Sequence, residues 1–334
     1  MSDRPEPAEP MPDIGSMTLS EIRLLVAGAH PEPGDLLWSV LEEDGRKGVE
    51  NMLARCRRRL AADERERDRT AEMRRLEAEL WEDGHETVAG VDEAGRGPLA
   101  GPVVAAAVVL PRELGIDGID DSKKLSPAKR DRLYDLILRD AVGVGVGCVS
   151  ETVIDEKNIL RATFRAMREA LDRLERSPDH VLVDGDPIRG LDLPQTGVPK
   201  GDERSAAIAA ASIIAKVTRD RMMVEHDARY PGYGFAVHKG YGTPEHIAAL
   251  RRLGPCEIHR RSFRIVHELG GGVSRRYAGF RSELLAAENA AALESAAGRI
   301  AEARGELDAY ELRRLRALYK RCYVRLAVHL ARRP

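Results

Sequence analysis

The stretch that decides the fold reads Val88-Ala89-Gly90-Val91-Asp92-Glu93-Ala94-Gly95-Arg96-Gly97-Pro98. It begins as a β-branched strand and ends in two adjacent carboxylates, followed by glycines and a proline. Neighbouring residues of a regular strand point to opposite faces, so both acids can address one site only if the strand bends or ends there. Gly95 and Gly97 permit such a bend and let a bulky ligand touch the backbone. Because acids before glycine are also an ordinary turn composition, this stretch alone leaves both interpretations open.

Two further carboxylates follow the same pattern. Asp184 closes a short apolar strand that begins at His180, and Asp202 precedes a long Ala-rich segment. Strand-end acids collect at one edge of an α/β sheet, which would bring four negative charges close together. Like charges raise one another's pKa unless a cation offsets them, and Mg²⁺ and Mn²⁺ favour oxygen ligands. The scattered histidines form no H-x-x-x-H pair, which argues against zinc.

The pattern of apolar residues predicts a mixed α/β sheet flanked by helices. Strands are predicted at 87–91, 103–110, 142–149 and 180–184, and helices at 126–140, 153–175, 203–227 and after Pro244. The glycines that alternate through 142–149 lie within a strand, so they do not form a nucleotide-binding loop. They predict a bare strand face that a helix or backbone approaches closely.

Composition changes divide the chain into four parts. We predict a disordered tail at 1–16, a helical N-terminal extension at 17–85, a catalytic domain at 86–267, and a linker with a helical extension at 268–334. The first extension is predicted to contain one long helix from about 47 to 83, and the second extension two helices between about 280 and 331. Within the first extension, residues 46–75 carry eleven Lys or Arg and six Asp or Glu. This stretch is interpreted either as an ordinary exposed helix or as a basic arm that helps to hold DNA.

The overall composition excludes several classes of protein. The formal net charge is −2, so a nucleic-acid enzyme would have to concentrate its basic residues locally. Four separated cysteines without a C-x-x-C pair argue against a zinc ribbon and a disulfide framework, and they fit a reducing compartment. The chain has neither an apolar run that spans a bilayer nor a signal-peptide core, so a cytoplasmic location is expected. The aromatic content of 4% argues against multi-base stacking on single strands.

Over residues 86–267 the sequence resembles the ribonuclease HII family. The resemblance is carried by the opening run Val88–Val104 and, in order, by Asp120–Ser126, Val183-Asp184-Gly185, Lys200-Gly201-Asp202, Ala210–Asp220, His238–Thr243 and His259–Phe263. The opening run is long enough to be highly specific. Residues before and after this core lie outside the shared pattern, although some bacterial members have a helical N-terminal extension.

The resemblance implies a role for each matching residue. An RNase H-like fold would use Asp92, Glu93, Asp184 and Asp202 as its catalytic, metal-binding carboxylates. Gly95, Arg96 and Gly97 would present backbone amides to the ribonucleotide and its 2′-hydroxyl, and Tyr241 would stack on or hydrogen-bond near that sugar. Lys123, Lys124, Ser212 and Lys216 would meet the phosphate backbone. The two adjacent lysines and the long helix, with Lys216, Arg219 and Arg221, are interpreted as the local basic surface that the net charge of −2 requires. Arg96 has a second interpretation, as the structural partner of the neighbouring acids.

The implied reaction is hydrolysis of the phosphodiester 5′ to a ribonucleotide embedded in duplex DNA, or within an RNA/DNA hybrid. The products would carry a 3′-hydroxyl and a 5′-phosphate, and two Mn²⁺ or Mg²⁺ ions would assist an in-line attack by water. The protein is expected to act as a monomer, without a membrane partner. Its extensions could bind DNA or a replication or repair partner.

Three alternatives are weighed against this interpretation. A ribonuclease HIII-like hybrid nuclease shares the metal set, but it has a Lys-bearing loop in place of Gly95-Arg96-Gly97 and a β-rich N-terminal extension. A glycosidase with paired carboxylates needs aromatic platforms that this chain lacks. A non-catalytic nucleic-acid-binding module would have lost its acids, and all four are present.

Overall fold

The computed structural model describes residues 13–113, 116, 118–272 and 274–331. The helices are α1 (Leu19–Ala29), α2 (Leu36–Glu43), α3 (Lys47–Met73), α4 (Arg75–Glu82), α5 (Pro127–Asp140), α6 (Glu151–Lys157), α7 (Ile159–Asp172), α8 (Ala206–Arg229), α9 (Phe235–His238), α10 (Pro244–Leu253), α11 (Arg264–Leu269), α12 (Arg275–Ala286), α13 (Ala290–Glu302) and α14 (Ala309–Ala331). The strands are β1 (Val88–Ala94), β2 (Val103–Val109), β3 (Gly143–Val149), β4 (His180–Asp184) and β5 (Gln195–Val198).

The described residues 13–72 form a compact unit of their own. Thr18 and Glu21 cap α1 reciprocally, and an apolar core forms around the buried Trp38. A 3-10 turn with a buried Ile14 lies inside the predicted tail 1–16, so that prediction is wrong for its last residues; residues 1–12 lie outside the described residues. The single helix predicted from about 47 to 83 is in fact two helices that meet at Arg74.

The second unit contains a five-stranded sheet in the order β3-β2-β1-β4-β5. The β1–β2 and β2–β3 pairs are antiparallel, whereas the β1–β4 and β4–β5 pairs are parallel. This arrangement confirms the predicted mixed α/β sheet flanked by helices. The edge strand β5 was not predicted, because Gln195–Val198 is short and only its last residue is buried.

Helices cover both faces of the sheet, and glycines set how closely they approach. A Cβ on Gly90 would lie 2.1 Å from the backbone of Ala207, so α8 packs directly on β1. Gly145 and Gly147 hold the same relation to α7: a Cβ on either would come within about 2 Å of a carbonyl oxygen of that helix. The predicted close approach to the glycine-rich strand is confirmed, and the explanation is packing and not ligand binding.

Other helix boundaries differ from the predictions. The helix predicted over 153–175 is split at Asn158, whose φ of 91° interrupts α6 and α7. The C-terminal extension contains α12, α13 and α14 instead of two helices, and these three helices bury a separate apolar core. Amphipathic periodicity locates such helices but marks their ends poorly.

Candidate active site

The strand register explains how the predicted acids meet. Val91 of β1 pairs with Val183 of the parallel strand β4, so the next residues, Asp92 and Asp184, lie side by side at the same sheet edge. β1 does not end at Asp92, as the sequence suggested, because it stays paired with β2 up to Ala94. Asp92 and Glu93 therefore lie just beyond the residues of β1 that pair with β4, but they are still within β1 itself.

The chain after β5 brings in the fourth acid. Val198 pairs with Asp184, and the turn that follows places the Gly201 amide 2.7 Å from Asp184 Oδ1, to which it donates a hydrogen bond. Asp202 lies in the same 3-10 turn and is buried. Asp92, Glu93, Asp184 and Asp202 therefore all belong to one edge of the sheet.

Burial and mutual repulsion shape the electrostatics of this edge. Burial raises the pKa of Asp92 well above its usual range, and the charges of Glu93 and Asp184 raise it further. Burial also raises the pKa of Glu93, although Arg96 opposes the shift, and the pKa of Asp184 is raised by burial and by Asp202. Crowded, desolvated carboxylates of this kind are stabilised by a cation.

Lys123 supplies part of that compensation. Its Nζ lies 2.9 Å from Asp202 Oδ2 and 3.7 Å from Asp121 Oδ1. Partial burial lowers the pKa of Lys123, but the hydrogen bond and charge of Asp202 outweigh that effect and raise it. Lys124 pairs instead with Glu203, at 3.0 Å. Lys123 and Lys124, which are predicted to meet phosphate, are therefore ion-paired to acids in this structure.

The four oxygen-donor side chains suit a hard divalent ion by their chemistry. Within the described residues, however, they are not drawn to one point. In the part of the chain that the structure describes, ligand atoms of three His, Cys, Asp or Glu residues lie within 4.8 Å of one another only at His267, Asp308 and Glu311. Helix capping explains why Asp308 and Glu311 lie together. The carboxylate of each accepts a hydrogen bond from the backbone amide of the other at the start of α14.

The loop after β1 is organised by a buried arginine. Gly95 adopts a φ of 94°, and a Cβ there would lie 2.1 Å from Nε of Arg219. Arg219 is fully buried and donates hydrogen bonds to the carbonyls of Pro102, Lys239 and Ala100. Two sequence interpretations are corrected here. Arg219 is not part of a basic surface, and Gly95 makes room for this side chain.

Arg260 holds the same loop from the other side. It is also fully buried, and it donates hydrogen bonds to the carbonyls of Gly95 and Gly101, at 2.6 and 2.9 Å, and of Arg96 and Pro102. Burial lowers the pKa of Arg260, and Arg219 lowers it further. The carbonyl dipoles converging on the guanidinium offset part of the desolvation cost.

Arg96 and Gly97 face outward from this scaffold. Arg96 is 53% exposed in its side chain, and its Nη1 lies 3.0 Å from Glu93 Oε1, as expected for a partner of the acids. Nothing crowds Gly97: the nearest atom to an added Cβ would be Cε1 of Tyr241, at 3.8 Å. The tyrosine ring, 41% exposed, therefore lies beside the open part of the loop.

Two buried histidines, His246 and His259, are hydrogen-bonded in series to the carbonyl of Tyr241. His246 Nδ1 lies 2.8 Å from the Tyr241 carbonyl and must donate to it, so its Nε2 accepts from His259 Nε2, at 3.1 Å. His259 Nδ1 then accepts from the Cys256 amide, at 3.0 Å. This pattern requires both rings to be neutral. Burial lowers the pKa of both, and the neighbouring His246 helps to bring that of His259 to about 3.

The remaining predicted contacts lie on α8. Ser212 is buried, hydrogen-bonds with Asp92 in a way that lowers the pKa of that acid, and contacts the Ser122 hydroxyl at 2.9 Å. Lys216 pairs with Asp220 at 2.7 Å and also lies 5.7 Å from the centre of the Tyr241 ring. Ser212 thus borders the acids, whereas Lys216 borders the tyrosine.

Sequence reasoning missed the supporting residues beneath the site. Ser122, His246, His259 and Arg260 are buried and hydrogen-bonded, and Arg219, predicted at the surface, is buried as well. Arg260 and His259 do lie in a stretch that matched the family pattern, which was the only available signal. A single sequence does not reveal that an arginine or histidine is buried, because these residue types are usually exposed.

Comparison with known proteins gives one consistent family. Residues 89–266 match the family model described as Ribonuclease HII, and residues 18–81 match the one described as Ribonuclease HII N-terminal domain. The chain is 53% identical over 254 residues to a ribonuclease HII of Geobacillus thermodenitrificans, covering 76% of this chain and 97% of that protein. It is 59% identical over 185 residues to one of Geobacter metallireducens, covering 55% and 87%.

Among solved structures, the ribonuclease H2 of Pyrococcus horikoshii matches 55% of this chain and 97% of its own, with 29% identity and a TM-score of 0.48.

The four cysteines of the chain are free thiols. Of the helices in the described part of the chain, none combines the length and apolar character that crossing a membrane requires.

Proposed function

The chain belongs to the ribonuclease HII family and is a hydrolytic nuclease, and from that premise we propose that it cuts duplex DNA on the 5′ side of an embedded ribonucleotide. The cut would leave a 3′-hydroxyl and a 5′-phosphate, and RNA in RNA/DNA hybrids would be cut by the same site. The observation that carries the proposal is the cluster of four carboxylates at one sheet edge, three of them with raised pKa values.

Asp92, Glu93, Asp184 and Asp202 would hold the divalent ions, Mg²⁺ or Mn²⁺. Their oxygen-only donor set fits such ions, and so does the mutual repulsion that Lys123 and Arg96 offset only in part. When bound, these ions activate water and stabilise the leaving oxygen. In this structure Lys123 is ion-paired with Asp202. Its flexible ammonium group can move from that carboxylate to a phosphate of the bound strand.

Ribonucleotide selection is assigned to the loop of Gly95, Arg96 and Gly97 together with Tyr241. The uncrowded Gly97 backbone beside the tyrosine ring offers a place where a sugar can approach the main chain. The 2′-hydroxyl is both a donor and an acceptor, and it distinguishes RNA from DNA. The buried Arg219 and Arg260 would keep this loop in one conformation, which makes such discrimination possible.

The phosphate contacts proposed for Lys124, Ser212 and Lys216 have unequal support. Lys124 and Lys216 are solvent-accessible and could exchange their acid partners for phosphates. Ser212 is buried against Asp92, which favours a role in orienting that carboxylate over a direct contact with the strand. The DNA or partner-binding role of the N-terminal extension stays a prediction.

The test uses three labelled duplexes: all-DNA, DNA with one ribonucleotide, and an RNA/DNA hybrid. Each is incubated with Mg²⁺, with Mn²⁺ and with EDTA. We expect metal-dependent cutting 5′ to the single ribonucleotide, and a loss in rate on the order of 10³-fold for Asp92→Asn. The control is Asp186→Asn, which removes an exposed acid two residues beyond Asp184 and should keep full activity.

Cutting of the hybrid alone would overturn the roles given to Gly97 and Tyr241, because those residues are assigned to recognition of a single ribonucleotide. Cutting that persists in EDTA would overturn the ion-binding role of the four acids. Equal losses in Asp92→Asn and Asp186→Asn would mean that negative charge in general, and not this cluster, supports the reaction.

A further inference from the structure

The C-terminal extension lies beyond both regions that match the family, and it is strongly basic. Residues 268–334 carry thirteen Lys or Arg and eight Asp or Glu, in a chain whose formal net charge is −2. Helix α14 concentrates this excess, with six basic residues and one acid. Positive charge of this density in one helix is typical of contact with a polyanion.

The extension is anchored to the catalytic domain. Arg313 of α14 donates to the carbonyls of Ile154 and Asp155, at 3.2 and 2.9 Å. The buried His267 stacks on Tyr310 with ring centres 4.0 Å apart, and its Nδ1 lies 3.2 Å from Asp308 Oδ2. These contacts hold the start of α14 in a definite position, so charges on that helix act from a fixed place on the enzyme.

A groove runs between α12 and α14, with a volume of about 360 Å³. Its floor is formed by the buried Tyr277 and Cys322, and its walls carry four arginines: Arg281, Arg314, Arg321 and Arg325. Arg314, Arg321 and Arg325 follow one another at spacings of seven and four, so they lie on one face of the helix. This row is about 16 Å long, which spans several phosphates of one nucleic-acid strand.

These arginines differ from the others in the extension. Arg276 pairs with Glu306 at 3.2 Å, and Arg299 pairs with Glu283 at 2.8 Å. By contrast, among the described residues no carboxylate lies within ion-pair distance of the side chains of Arg281, Arg314 or Arg321. These three exposed guanidinium groups face one groove, and no carboxylate of a described residue neutralises them, so they are available for anions supplied from outside the chain.

We propose that this groove between α12 and α14 binds the phosphate backbone of duplex nucleic acid, as a second contact for the strand that the enzyme cuts. The ligand follows from charge and shape. Planar guanidinium groups spaced along a helix match successive phosphates, and the contact needs no base-specific recognition. The proposal rests on the proposed function for the identity of the nucleic acid.

The test measures binding of the full chain to a labelled all-DNA duplex of about 40 base pairs, in EDTA, over a range of salt concentrations. The triple variant Arg281→Gln, Arg314→Gln, Arg321→Gln should bind more weakly. The slope of log K against log salt should become shallower by about 0.9 for each phosphate that the variant no longer neutralises. All three side chains are exposed, so the variant should keep the melting temperature of the wild type.

The matched control removes the same charge from three ion-paired arginines: Arg264→Gln, Arg276→Gln and Arg299→Gln. It should keep a slope close to that of the wild type. An unchanged slope in the groove variant, or an equal fall in the control, would overturn the proposal. Cleavage of the ribonucleotide-containing duplex is measured in parallel with metal. A shallower slope without any wild-type cleavage would overturn the proposed function and leave the groove assignment standing.

Discussion

Two sets of arginines in this protein have opposite environments. Arg219 and Arg260 lie fully buried beneath the loop that follows β1, and backbone carbonyls satisfy their guanidinium groups. Arg281, Arg314 and Arg321 are exposed along a groove of the C-terminal extension and face solvent. The same residue type thus acts as internal scaffold in one region and as a free cation in the other. The surroundings, and not the side chain, decide which it is.

The largest expected effect comes from removing a scaffold arginine. Arg260→Met leaves several buried carbonyls without a donor, which should lower the free energy of unfolding by about 3–5 kcal/mol. Urea denaturation followed by circular dichroism measures this change. Arg276→Met, at an exposed ion pair, is the control and should cost less than about 1 kcal/mol. Equal losses in the two variants would remove the distinction between buried and exposed arginines.

A second prediction separates the two glycines of the loop. Gly95→Ala forces a Cβ against Arg219 at a positive φ, so the free energy of unfolding should fall by about 2–3 kcal/mol. Gly97→Ala meets no atom closer than 3.8 Å and should change it by less than about 0.5 kcal/mol. Urea denaturation of the two variants beside the wild type measures both changes.

Cleavage at a single ribonucleotide should respond to Gly97→Ala even though the stability of this variant does not change. Gly97→Ala places a methyl group where we expect the sugar to approach, so cleavage at a single ribonucleotide should fall although the protein stays fully folded. Normal kcat/KM in a stable Gly97→Ala variant would show that the substrate does not approach the main chain there.

The smallest effect concerns the neutral histidines beneath Tyr241. The pKa of His259 is about 3 in the folded chain and about 6.5 in the unfolded chain, so the unfolded state binds the proton first as the pH falls. The stabilising contribution is complete at neutral pH and is lost as the pH falls from about 6.5 towards 3. Between pH 7 and pH 5 the free energy of unfolding should fall by about 2 kcal/mol through this group.

Denaturation at several pH values, compared with His259→Gln, measures the contribution of His259 together with its effect on the hydrogen-bonded His246, because the titrating groups elsewhere are shared by the two proteins. The variant should be less stable at pH 7, and its stability should depend less on pH between 7 and 5. Parallel pH profiles for the two proteins would mean that His259 is not held neutral by its surroundings.

The candidate site shows how far sequence reasoning reaches. Asp92, Glu93 and Asp184 could be placed at one sheet edge because they follow apolar strand segments, and the register of β1 with β4 agrees with that placement. Asp202 was a candidate because it precedes the long Ala-rich helix. Their roles as ligands stay a prediction. The end of β1 was misplaced, since pairing with β2 continues past the acids, and such pairing depends on a distant segment.

Other features could not be predicted because they depend on what surrounds a residue. Gly95 was expected to admit a ligand, but the neighbour it admits is Arg219, which lies far along the chain. The arginine groove of the extension requires α12 and α14 to lie side by side, and periodicity alone suggested one helix fewer. Contacts between distant segments leave almost no trace in local residue patterns.

By itself, the sequence determined the mixed α/β class, the approximate position of most strands and helices, and the four acids at the ends of apolar segments. Those properties depend on local periodicity and on residue chemistry, which can be read along the chain. The packing of distant segments determines which cations are buried, which glycines accommodate a neighbour, and which histidines must stay neutral. Burial and desolvation arise when distant segments pack together, and they determine whether an arginine such as Arg260 supports a loop or, like Arg314, remains free to bind an anion.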